Sequence, residues 1–304
     1  MSETIHPVRL NLRAIVGRAY PRVIGANREP SWIFFEAILP LMGIAVYVFI
    51  YQAFGARAIA AIVENPALSD AAREVAVATA QANVNALVGF VVIGGTMTAF
   101  WMNVLWSMAS QLYWEKEMGN LQLYMMAPMS RMALLGGMAL GGMFMTSVRA
   151  ISTLVAGVFV FGVAFRVADP LLILAVFFAT LIALYGMGMM LASLYLLYGR
   201  EAWNLSALLE EPIFLVSGFY FPIKALGQGV ALAASIVPAA LGLDALRQLL
   251  FPTFFGGAFW LLSVQDELTI LVGLCVLFLF LARFCLARLE NLAKREGRLT
   301  SRHQ

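Results

Sequence analysis

The segment 114–131, WEKEMGNLQLYMMAPMSR, places Glu115, Lys116, Glu117 and Arg131 between two of the most apolar stretches of the chain. Other charges stand inside apolar runs: Arg149, the adjacent carboxyls Glu210 and Glu211, and Asp244 with Arg247 three residues on. Acid–base or metal chemistry asks for a convergent set of His, Cys or carboxylate groups. The two histidines, His6 and His303, stand near opposite ends, and Glu210–Glu211 is the only carboxylate cluster within an apolar run. Cys275 and Cys285 share the last apolar run. They read as small buried hydrophobes rather than as a disulfide framework or a thiolate metal cluster. The charges therefore need an explanation other than catalysis or a resident metal.

The elements that must position them come from composition. The chain has 304 residues, 62% apolar and 12% charged, where a soluble domain carries about 25% charged residues. Long apolar runs with this deficit mean a polytopic membrane protein in one membrane domain, residues 1–304. No cleavable signal peptide is expected, because the first apolar run starts near Trp32 and is long enough to span. Six spans are expected: 32–54, 86–109, 132–165, 171–198, 203–221 and 268–286. The run 132–165 has 34 residues, about 51 Å as one helix, which overshoots the bilayer.

Lysine and arginine bias orients the spans. Arg9, Arg13, Arg18, Arg22 and Arg28 precede the first span, and Arg283, Arg288, Lys294, Arg295, Arg298 and Arg302 cluster at the far end. Both termini are expected in the cytoplasm of a bacterial-type inner membrane. The net charge of +3 is mostly this topological signal, and nucleic-acid binding is not expected. Within 1–31, Val8, Leu12, Ile15, Val16, Ala19 and Val23 form one stripe, which predicts an amphipathic helix on the inner membrane surface. Residues 55–85 are expected outside as a short helical hairpin with Pro66 in its turn and Ser69 as a cap. Residues 222–267 are apolar but broken by Pro222, Gly227, Gly229, Pro238 and Gly242, just after Gly218. A re-entrant helical hairpin dipping in from the outside fits both properties. The fold class is thus all-α integral membrane.

This topology puts 110–131 in the cytoplasm, between spans two and three, with spans three to five filling 132–221 and the last span and basic tail 268–304. Trp114, Met118, Leu121 and Met125 recur at helical spacing, Glu115, Lys116 and Gln122 point elsewhere, and Pro128 stops the helix. Periodicity alone leaves two readings open: a helix presented to a partner, or one floating in the headgroup layer.

The stretch resembles the cytoplasmic loop of ABC-2 type permeases, the membrane subunits of one class of ATP-binding-cassette transporters. Glu115, Glu117, Gly119, Leu121, Pro128 and Arg131 match its charged element, helix, proline and basic residue in order, with Asn120 where Thr is more usual. Ser217, Gly218, Phe221, Pro222, Pro238, Asp244 and Arg247 resemble the family's second signature. The resemblance implies that 114–131 carries a coupling helix docking on a separate ATPase subunit. It implies two ATPase copies, a second permease copy as homo- or heterodimer, and export of an amphipathic small molecule, lipid or glycan. No G-x-x-x-x-G-K-[ST] phosphate loop occurs, so ATP and Mg are expected on the partner and no cofactor on this chain.

The remaining charges are pathway candidates by default, because charge inside a bilayer is costly. Arg149 is expected to pair with Glu210 or Glu211, and Glu36 to snorkel to the headgroups. Asp244 and Arg247 are expected to form a local ion pair capping the re-entrant helix. Gly137 and Gly141, four apart, suit close helix packing. Two other functions compete. An ATP-independent secondary transporter would want an internal repeat and charges at the midplane, and neither is evident. An intramembrane enzyme would want the convergent set that is missing.

Overall fold

The computed structural model describes residues 7–28, 30–198 and 202–295, which are helical with no strand among them. His6, His303, Arg298 and Arg302 lie outside the described residues. Helix α1 (Pro7–Arg28) precedes α2 (Pro30–Val63) and α3 (Asp70–Met102). The last two form a long antiparallel hairpin, in which Gly55 meets Val84 and Gly95 meets Ile44. Ser69 Oγ accepts the Ala72 N–H at 3.4 Å and caps α3, with Pro66 in the turn before it. Residues 55–85 form the tip of this hairpin. They are the continuation of both spans, because alanine-rich sequence extends a helix as readily as it starts one.

Helix α3 passes through a π-helical turn, Asn103–Met108, into α4 (Gln111–Glu117). The whole run Asp70–Glu117 has 48 residues. After the short α5 (Asn120–Met126), α6 (Arg131–Phe159) returns along α1 and α3. It ends six residues before the expected Phe165. Gly162 takes φ 69°, and the Val163 N–H turns back to the Gly157 carbonyl at 2.9 Å. The 29-residue helix is about 44 Å long, closer to the bilayer than the 51 Å expected. Helix α7 (Pro170–Tyr198) packs chiefly against the last helix, α11 (Val264–Arg295).

The fifth expected span is shorter than the sequence suggested. Helix α8 (Ala202–Val216) has 15 residues, about 22 Å, against the roughly 30 Å of a hydrocarbon core. It stops because Gly218 adopts φ 61° and the chain turns. Two helices follow, α9 (Gln228–Ala234) and α10 (Pro238–Leu250), bent by 115° to each other. Among the described residues five helices are long and apolar enough to cross a membrane, or six if the bent pair counts as one span.

The core is built on α3. Phe90, Val91, Val92, Ile93, Met97, Phe100 and Trp101 are all buried, the all-round apolar pattern of a helix with neighbours on every side. Helix α2 is the opposite case, with Phe35, Leu39, Met42, Val46, Phe49 and Phe54 exposed along its length.

Candidate functional site

The bundle has two differentiated ends. One carries α1, α4, α5 and the start of α6; the other carries the α9–α10 hairpin.

At the first end, α4 closes at Glu117 and Gly119 adopts φ 79° before α5 begins. A side chain at Gly119 would strain this left-handed turn. The break means that Trp114, Met118, Leu121 and Met125 do not share one continuous helical face. Trp114 and Met118 are exposed, as are Leu123 and Met126, whereas Leu121 is buried. Met125 lies in α5, but its side chain is outside the described part of the structure, as is that of Gln122. The charged residues are inverted relative to a solvent-facing helix: Glu115 and Lys116 are buried, with 3% and 7% exposure.

The partner of Glu115 is in α1. Arg18 forms an ion pair with Glu115 and lies over the Tyr124 ring at 5.8 Å, and Asn120 donates to the other Glu115 oxygen at 3.1 Å. Arg22 donates to Ser107 Oγ at 2.7 Å and to the Gln111 side-chain oxygen. Burial pulls the Arg22 guanidinium below its ordinary value, and Arg18 beside it adds to the fall. Asn11 Oδ1 accepts the Ser130 N–H at 2.8 Å, one residue before Arg131 opens α6. Helix α1 thus clamps the 110–131 segment. Its exposed stripe is Val8, Leu12, Val16 and Tyr20, whereas Ile15, Ala19 and Val23 turn toward the protein. Gly137 and Gly141 seat it: a Cβ at Gly137 would fall 2.7 Å from the Ile15 carbonyl oxygen, and one at Gly141 3.3 Å from Arg22. The small-residue spacing is therefore the bed of α1, a specific contact that general core packing does not require.

Arg149 pairs with Glu36 of α2, its Nε donating at 2.7 Å. It does not pair with Glu210 or Glu211, and Glu36 does not simply snorkel. The α2–α6 packing brings these two together. Glu210 instead accepts the Trp106 indole N–H at 3.1 Å. Glu211 is exposed on α8 and lines a cavity of about 310 Å³ with Tyr47, Tyr51 and Tyr220.

At the hairpin end Arg247 is fully buried, and its guanidinium donates to the carbonyls of Phe219 at 2.8 Å, Phe221 at 2.9 Å and Phe90 at 3.4 Å. It also stacks over the Phe90 ring at 4.9 Å. Gly218, Phe221 and Pro222 form the turn it braces, and Pro238 opens α10 at the first helical position, where its missing N–H costs nothing. The expected Asp244–Arg247 ion pair is not formed. Asp244 faces the other way, accepting the Leu261 N–H at 2.9 Å and Gln248 Nε2 at 3.2 Å. Gln248 also donates to Glu267 at 3.1 Å and to the Leu262 carbonyl at 2.9 Å. Glu267 and Gln248 were invisible as partners from sequence. The one signal was a carboxylate at the very start of the last apolar run.

No group of three or more His, Cys, Asp or Glu able to hold a metal occurs among the described residues. The arrangement offers two pinned ends. Residues 22–251 match the family model for ABC-2 type transporters, a stretch that runs from within α1 to the end of α10 and includes both ends. No curated protein matches the chain. With several membrane-length helices and that match over most of its length, the chain is an integral membrane protein and belongs to the ABC-2 type transporter family.

Proposed function

We propose that the chain is the permease subunit of an exporter, present in two copies and driven by a separate ATPase that docks on α4 and α5 in the cytoplasm. The observation that carries this is the inversion at that end. Trp114, Met118, Leu123 and Met126 are exposed while Glu115 and Lys116 are buried. Apolar side chains held outward on a braced turn suit a protein groove better than water, and methionines suit a contact that re-packs as it moves. Glu115 acts from inside, tying the docking element to α1, and Glu117 and Arg131 flank it. ATP and Mg belong to the partner. The cargo is an amphipathic small molecule, lipid or glycan. Glu211 and the tyrosines around its cavity belong to the path.

The test is affinity purification of the detergent-solubilised wild type and of Met118→Asp with Leu123→Asp. Both substitutions fall on exposed side chains, so the fold is kept. A stoichiometric ATPase should accompany the wild type and be lost in the variant. A wild type that comes down alone and transports in liposomes without ATP overturns the reading.

A further inference from the structure

A cavity of about 450 Å³ opens where α1, α2, the π-helical turn and α6 meet. Its charged lining is Arg22, Glu36 and Arg149, with Asn103, Ser107 and Thr146 as the neutral polar groups. Arg149 is already neutralised by Glu36. Arg22 is not: its hydrogen bonds go to the neutral oxygens of Ser107 and Gln111. Glu115, the carboxylate whose charge reaches Arg22, is committed to Arg18 and Asn120. One positive charge is left over in a partly desolvated site, where a guanidinium without a counter-charge is costly.

The rest of the wall is apolar, from Ala99, Met102, Met145 and Trp106. The level in the membrane follows from α1, whose opposite face exposes Val8, Leu12, Val16 and Tyr20, as a helix lying at the headgroup boundary does. A site with one fixed positive charge, three neutral hydrogen-bonding groups and a greasy flank fits a ligand with a charged head and an apolar tail. Its volume lies within the roughly 300–1,000 Å³ of small-molecule pockets, enough for a headgroup and the start of a chain. Guanidinium groups match phosphate oxygens in geometry as well as charge.

We infer that this cavity binds the phosphate head of an anionic amphiphile, with Arg22 as its charge partner and Met102 and Met145 along its tail. The assignment concerns binding alone, so it stands or falls independently of ATP-driven transport.

The full-length protein, stripped of lipid in detergent, is titrated with phosphatidylglycerol, phosphatidylcholine and inorganic phosphate, and bound ligand is counted by native mass spectrometry. Wild type should retain phosphatidylglycerol over phosphatidylcholine by on the order of tenfold, the scale of one arginine contact at a membrane surface. Arg22→Gln should abolish that preference. The double variant Glu36→Gln with Arg149→Gln, which removes the internal ion pair and leaves the net charge of the cavity unchanged, should keep it. Equal retention of the two lipids by wild type, or an unchanged preference in Arg22→Gln, overturns the inference. Inorganic phosphate displacing phosphatidylglycerol at equal concentration would assign the site to a free anion and overturn the amphiphile. Should Arg22→Gln fail to fold, Arg22→Lys retains the charge and should retain the preference, and its loss there overturns the charge argument.

Discussion

Replacing Arg149 by alanine would strip Glu36 of its hydrogen-bonded ion partner at the cavity wall. The two side chains are 32% and 20% exposed, so the loss should be on the order of 2 kcal/mol, below the ~3–5 kcal/mol of a fully buried pair. The charge-swapped pair Glu36→Arg with Arg149→Glu should recover most of the melting temperature lost by either single reversal, as read by thermal unfolding in detergent. Arg247 answers to a different rule. Its partners are backbone carbonyls spread over three residues, and a lysine has one point charge where the guanidinium has a fork. Arg247→Lys should therefore destabilise by about 2 kcal/mol, since several carbonyls lose a charged donor at once. Glu267 discriminates charge from hydrogen bonding. Glu267→Gln keeps an oxygen for Gln248 and should be nearly neutral, whereas Glu267→Leu removes one of three acceptors around Gln248 Nε2, leaves Asp244 and the Leu262 carbonyl in place, and should cost about 1 kcal/mol.

Helices expose what local sequence does and does not decide. Ser69 and Pro66 announced the turn before α3 because a cap and a proline act within three or four residues. The same locality explains the misreading of 114–126. Helical spacing joined Trp114 to Met125, but the one residue between them that takes a left-handed backbone, Gly119, resets the phase. Helix α8 looked long enough because 203–221 is apolar apart from Glu210, Glu211 and three small polar residues, and apolarity does not register the turn at Gly218. The seat of α1 was written in Gly137 and Gly141, although what would sit there was not. Gly137→Leu should lift α1 from α6, since its side chain has no room beside Ile15 and Arg18. Limited trypsin digestion reads this directly, with faster cleavage at Arg9 and Arg13 while the spans stay intact.

For the whole molecule, composition settled the class because burying 62% apolar residues in a monomer of this size leaves too little polar surface for water. The partners of Arg18, Arg149 and Arg247 were not legible. Each lies apart in sequence, on another helix for Arg18 and Arg149 and chiefly on the turn after α8 for Arg247, and which elements touch is decided by packing over the full bundle. The exposed row on α2 offers the proposed second copy a face to pack on, which cross-linking tests. Met42→Cys in a variant lacking Cys275 and Cys285 should cross-link into a covalent dimer in membranes, and Val75→Cys, near the far tip of the hairpin, should not. The run from Asp70 to Glu117 has a mechanical meaning of its own. Its 48 residues make a strut of about 70 Å, more than twice the hydrocarbon thickness, with a single irregular turn near one end. A strut does not attenuate what it is given. Tilting it by roughly 5° at Glu117 swings its tip at Ser69 through about 6 Å, so a small rotation at one end is a large displacement at the other.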